Sequence, residues 1–171
     1  MISYKQFLEE GIKKIPFDKN PKIGWWLDND PITFYHGTHI DNLEFIIKNG
    51  IKAPTEGYTK DWVSLALDPF TGRGYAAMSG VGGETAFRSA GKKVKTTPMN
   101  ERIVFKIQLP KSLVLKKMAK GRGEMQSTLN RLKDKKEYEN WTKSDVEYYA
   151  LTEIRMPKKI DTKFIKGYAT S

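Results

Sequence analysis

The chain has no cysteine. Neither a disulfide framework nor a thiolate metal site can form, and a reducing compartment suits its chemistry. Histidine is almost as scarce. His36 and His39 are the only two, with no second cluster to complete a zinc site, so no metal is expected. No apolar run approaches the roughly 20 residues that span a bilayer, and no secretory h-region opens the sequence, so no membrane partner is expected. Acid is in short supply: 20 Asp and Glu against 30 Lys and Arg leave a formal charge of +10. That surplus favours acidic partners such as nucleic acid, a dinucleotide or an acidic protein face, and is equally compatible with a solvated surface. What is present suffices for a core. At 171 residues, 39% apolar and 12% aromatic, the composition is that of one folded domain and not of a disordered polymer.

Along the chain, Tyr4, Phe7, Leu8 and Ile12 fall at helical spacing after Ser3, predicting a short amphipathic helix over Met1 to Lys14, which Gly11 weakens at its far end. Ile15 to Pro21, with two prolines, reads as a linker. Residues 1–20 are thus set apart from a domain at 21–171. Ile32 and Phe34 open an apolar run ending in His36-Gly37-Thr38, where a polar side chain meets a residue that lets backbone approach closely. Read alone, His36 is a histidine satisfied by local hydrogen bonds. Ile40, Leu43, Ile46 and Ile47 mark one buried face of a helix from His39 to Asn49, with Gly50 at its C′ position. Ile51 to Ala53 continue as a short extended piece. Trp62 to Leu67 is a strand with Ser64 inside it, and Asp68-Pro69 caps and opens the helix carrying Tyr75.

Ser79 to Asn100 is Gly-rich, then basic, as in a loop excursion. Arg102 to Leu109 alternates as a strand, with Ile103, Phe105, Ile107 and Leu109 on one face. Lys111 to Lys117 is expected as a shorter strand, Gly121 to Tyr138 as a charged helix, and Asp145 to Ile154 and Lys163 to Ala169 as strands. Several strands with few helices favour an α+β fold around split or two-layer antiparallel sheets over a parallel doubly wound one.

So placed, the chain resembles the ADP-ribosyltransferase superfamily, in the branch of diphtheria toxin and the poly(ADP-ribose) polymerases. Tyr35-His36-Gly37-Thr38, followed by a helix ending Asn49-Gly50-Ile51, is similar to that branch's first motif. Val63 to Pro69 through Tyr75-Ala76 is similar to the second, and Val146-Glu147-Tyr148-Tyr149-Ala150-Leu151 to the third, where a Glu begins a strand. The likeness spans roughly residues 32–167. It implies split antiparallel sheets with flanking helices, NAD as substrate without a metal, and an enzyme that moves ADP-ribose to an acceptor and releases nicotinamide. By resemblance, the Gly37 backbone would bond the nicotinamide carboxamide and a Cβ there would block it. His36 would hydrogen-bond a ribose hydroxyl with Thr38 nearby, and Tyr75 would stack on the nicotinamide. Glu147 would bind the ribose 2′-hydroxyl, stabilise the oxocarbenium-like sugar and orient the nucleophile. Glu153, on the same strand face, is the rival to Glu147.

One residue departs from that branch. Eleven positions before Tyr75, where it has a first tyrosine against the other face of the nicotinamide, stands Ser64. A serine is shared with the superfamily's other branch, which has Arg in place of His36. The expected site is therefore His-Ser-Glu with a retained second tyrosine, and Trp62, Phe70 or Trp26 as candidate aromatic caps. Lys116 to Ser144, rich in Lys and Arg and carrying Trp141, is the expected docking face for an acidic macromolecular acceptor, a protein first and nucleic acid second. A solvated helix face is the alternative there. Met1 to Gly11, with Leu8-Glu9-Glu10 before Gly11, resembles the capsid-targeting peptides of internal proteins of T-even-type phages, against an ordinary helix packed on the domain. That likeness implies packaging in a virion, injection and action on host proteins in the host cytoplasm. NAD glycohydrolase activity and ADP-ribosylation of nucleic acid stay open as further enzyme readings. A non-catalytic basic nucleic-acid-binding or virion protein on the same fold stays open from another class.

Overall fold

The computed structural model describes residues 11–19, 29–55, 60–78, 97–118 and 153–170. The element everything else is built on is β1 (Ile32–His39). It pairs antiparallel with β4 (Arg102–Leu109) along its full length, from Ile32 opposite Leu109 to His39 opposite Arg102. β3 (Trp62–Ala66) lies on its other side, β5 (Glu153–Pro157) beyond β3, and β7 (Ile165–Thr170) beyond β4, giving the order β5-β3-β1-β4-β7. A separate antiparallel pair joins β2 (Ile51–Lys52) to β6 (Lys159–Ile160).

The fold is thus mixed α+β with an antiparallel five-stranded sheet, as the alternating strands implied. His36 lies inside a central strand and not at the end of an edge run. β1 continues to His39, and the expected helix begins as a 3-10 turn (Ile40–Asn42) before α1 (Leu43–Asn49). Gly50 closes α1 with φ 77°, the left-handed backbone its position requires, and its N–H bonds the Ile46 carbonyl at 2.8 Å.

The two faces of the sheet are covered differently. One carries Ile32, Phe34, Val63, Leu65, Ile103, Phe105, Ile107, Leu109 and Ile154, packed with Ile46 of α1, Ile51, Ile160 and Val114. The other carries Tyr35, Ala66 and Val104 beneath α2 (Pro69–Met78). Alternation along β1 explains the division, since even-numbered residues enter the larger core and odd-numbered ones face α2. α2 starts as the sequence dictates: Asp68 Oδ1 accepts from the Thr71 N–H at 2.8 Å, and Pro69 occupies the first turn, where no N–H is needed.

Two further expectations fail. Lys111 to Lys117 is not a strand but belongs to α3 (Lys111–Met118). Its first turn is set by Pro110, whose carbonyl accepts from the N–H groups of Leu113 and Val114 at 3.0 and 3.1 Å, and only one face is required to bury Val114. Ile15 to Asp18 is not a free linker either. The Ile15 N–H bonds the Tyr168 carbonyl at 2.8 Å, and the Tyr168 N–H bonds the Lys13 carbonyl at 3.1 Å, so Lys13 to Ile15 form a short parallel strap along β7. The expected first helix, the 79–96 excursion and the elements over 119–152 lie outside the described residues.

α2 meets β1 backbone to backbone. A Cβ built on Gly37 would lie 1.7 Å from the Gly72 carbonyl oxygen and 2.9 Å from the Ala76 nitrogen. Gly37→Ala therefore has no side chain to push aside and is expected to cost about 3 kcal/mol or more by denaturant unfolding. Gly74, on the same helix, has nothing within 4 Å of a built Cβ. Gly74→Ala is expected to gain up to about 1 kcal/mol in the same assay, from helix propensity alone.

Candidate functional site

β1 and β3 are neighbours, yet their ladder consists of one pair, Tyr35 opposite Ala66. From His36 onward the strands no longer share a ladder, and a side chain bridges the gap. His36 Nδ1 lies 2.9 Å from the Ser64 carbonyl oxygen. A carbonyl can only accept, so Nδ1 carries the proton and Nε2 of the neutral ring is an acceptor. Among the described residues Nε2 has no partner. Burial holds the imidazole below its ordinary pKa of 6.5, and the bond to Ser64, which favours the cation, is the smaller influence.

The other expected site residues distribute around this opening. Thr38 is on the same face as His36, but it is buried and its Oγ1 accepts from Asn42 Nδ2 at 2.8 Å, tying β1 to the following turn. Gly37, Ser64 and Trp62 alternate to the α2 face, with Ser64 opposite Arg155 and Trp62 opposite Pro157. Gly37 needs to lack a Cβ for a reason the sequence did not disclose, the close passage of α2. Tyr75 is half-buried and packs on the cluster of Tyr35, Ala66 and Val104. Since Gly72 and Ala76 face β1, the turn of about 100° per residue points Tyr75 toward the β3 flank, and Phe70 and Arg73 toward the β4–β7 flank. The structure therefore ties the His36 ring to the Ser64 backbone beside the β1–β3 gap, leaves Gly37, the Ser64 side chain and Tyr75 on the face that α2 covers, and engages Thr38 elsewhere. Glu147, Trp26 and Trp141 lie outside the described residues.

His39 is a different kind of histidine. Its Nδ1 accepts from the Asp41 N–H at 3.1 Å, and its Nε2 lies 3.0 Å from Glu101 Oε2, across the β1–β4 pair. Both nitrogens are committed to structure. Among the described residues no three His, Asp or Glu side chains group as a metal would require, and no helix is long and apolar enough to cross a membrane.

Sequence reasoning missed the N-terminal contribution. Phe17 packs on the Tyr35, Ala66 and Val104 cluster, and with Asp18, Tyr35, Val104 and Lys106 it lines a recess of about 40 Å³. That volume admits a few waters and not a dinucleotide, so this flank is distinct from the β1–β3 opening. The Tyr35 phenol there is raised above its usual pKa, first by burial, then by the carboxylates of Asp18 and Asp68. A single Phe between Pro16 and Asp18 carries no periodic signal, so only its partners reveal it.

Scans against protein-family models and curated proteins find no match to this chain.

The His36 geometry carries a pH dependence with a definite sign. A base whose folded pKa lies below its unfolded value leaves the unfolded chain binding more protons in the interval between them. The stabilisation by neutral His36 is therefore complete above pH 6.5 and declines as pH falls from there to the folded pKa. Denaturant unfolding across pH 8 to 5 should show this decline, and His36→Asn should remove it. Ring NMR titration should place the His36 midpoint below 6.5.

Proposed function

We propose that the chain is an NAD-dependent ADP-ribosyltransferase with the split antiparallel architecture of that superfamily, transferring ADP-ribose to a macromolecular acceptor and releasing nicotinamide. The observation that supports it best is the interruption of the β1–β3 ladder after Tyr35, bridged by the His36 side chain to the Ser64 carbonyl. A buried neutral imidazole, fixed with Nε2 as acceptor, is suited to receiving a ribose hydroxyl. The Gly37 backbone lies beside that gap on β1, and Tyr75, which packs on Tyr35, Ala66 and Val104, would stack on the nicotinamide.

Cleavage of the nicotinamide–ribose bond develops positive charge on the sugar, so the site needs a carboxylate close by. We assign that role to Glu147. It would hold the 2′-hydroxyl, stabilise the oxocarbenium-like sugar and orient the acceptor. Ser64 stands where a tyrosine would complete an aromatic sandwich, and Trp62, two residues earlier on the same strand face, is the nearest aromatic in sequence. The acceptor is proposed to be an acidic macromolecule, a protein before nucleic acid, met by the basic stretch 116–144. Lys116 and Lys117, exposed on the last turn of α3, begin it. The proposed setting is the host cytoplasm after delivery from a virion.

Incubation with labelled NAD and a bacterial lysate should transfer label to macromolecules with matching nicotinamide release, and no release at all would end the proposal. Protease and nuclease treatment of the product then identifies the acceptor class, and release without transfer would mark a glycohydrolase. Glu147→Gln should lower turnover by about 10²-fold or more. A variant that kept every activity would favour a non-catalytic binding protein. Neutralising Lys133, Lys135 and Lys136 should weaken transfer to the acceptor and flatten its salt dependence while leaving nicotinamide release intact.

A further inference from the structure

The β4–β7 flank of α2 has no part in the reading above, yet it carries a cluster of two aromatic rings and a guanidinium. The Phe17 ring meets the Phe70 ring edge-on, with centroids 5.4 Å apart and planes at 80°. The Arg73 guanidinium lies 5.0 Å from the Phe17 centroid and 5.2 Å from that of Phe70, over both aromatic faces. Behind this group the strap is fastened to β7 by its two backbone hydrogen bonds. Ile15 fills the place a side chain at Gly167 would take, since a Cβ there would lie 2.7 Å from Ile15 Cγ2. One end of the strap is pinned to the sheet, and the other holds the side of a helix.

That hold matters because of how α2 sits. The helix meets β1 where Gly37 lies under the Gly72 carbonyl, with the Tyr35 Cβ and a Val104 methyl facing Gly72. A helix set on a strand through two glycines has shallow ridges and grooves at that point to fix its rotation, so its flank contacts carry more of that task. Phe70 and Arg73 project to one flank and Tyr75 to the other. A roll of about 10° at the radius of a helical side chain moves its ring by about 1 Å, a displacement able to cost up to about a hundredfold in a reaction.

We propose that Phe17 is a positioning residue. Through Arg73 and Phe70 it sets the roll of α2, and so the place of the Tyr75 ring at the β1–β3 opening. The effect on NAD rests on the ADP-ribosyltransferase reading, while the mechanical coupling of strap to helix does not.

The test compares the full-length wild type with Phe17→Ala, Phe17→Tyr and Arg73→Met. Amide hydrogen exchange follows α2 and β4 without ligand, and nicotinamide release gives KM and kcat for NAD. In Phe17→Ala, exchange in α2 should quicken about tenfold with β4 unchanged. KM for NAD should rise about tenfold while kcat stays within about threefold. Arg73→Met, which leaves the strap pinned to β7, should reproduce this pattern, and Phe17→Tyr should restore wild-type values. Unchanged α2 exchange overturns the proposal. So does equal acceleration in α2 and β4, the mark of general destabilisation. Altered exchange with an unaltered KM overturns the link to Tyr75. If the wild type releases no nicotinamide, the NAD reading fails, and the exchange comparison alone decides the coupling.

Discussion

The structure depends on one steric fact, that β1 and α2 touch through backbone. Gly37 lies in the strand that pairs with β4 along its whole length, and Gly72 lies in the helix that crosses it. Because Gly37 has no Cβ, the helix descends to a distance that a side chain at that position would forbid. Its position above the sheet then decides what its sides can do. One side meets the strap, and Tyr75 packs on the sheet over Tyr35, Ala66 and Val104. The site proposed at the β1–β3 gap would be a consequence of how the layers pack and not an addition to them.

The two histidines show how position divides chemistry between identical side chains. His39, at the end of β1, has both ring nitrogens engaged, one by a backbone N–H and one by a carboxylate. It closes the corner between β1 and β4. His36, three residues earlier, is kept neutral by burial and spends only Nδ1 on its neighbour. A ring held in one tautomer with its second nitrogen unengaged among the described residues is what a substrate hydroxyl can use. A ring clamped at both ends is not.

Much of this was legible in residue order, where local rules and tertiary packing agree. Asp68-Pro69 announces a helix start because a carboxylate cap and a first-turn proline serve no other local structure so well. Gly50 marks a helix end for the same kind of reason, and Arg102 to Leu109 alternates because one face is buried. The failures came where local rules tie. Leu113-Val114-Leu115 between lysines fits a short strand or a helical turn, and the Pro110 carbonyl decides it. The strap could not be read at all, since pairing with β7 joins residues about 150 positions apart and needs no periodicity in either. Residue order points to a ligand approaching the Gly37 backbone, whereas what passes closest to it in the fold is a helix. His36 was placed at a strand's end, and its central position follows from β4, whose partner cannot be chosen from sequence.

The strap also bears on how the sheet meets other molecules. β7 is the last strand of its sheet, and a bare outer strand offers unsatisfied amides and carbonyls to any passing chain. Here both polar groups of Tyr168 on that side are taken up by Lys13 and Ile15, and the notch at Gly167 is plugged by an isoleucine. The chain guards its own border with a segment that comes from far away in sequence. A form shortened past Ile15 would keep its core residues but present an open, notched margin, a template for self-association through strand addition.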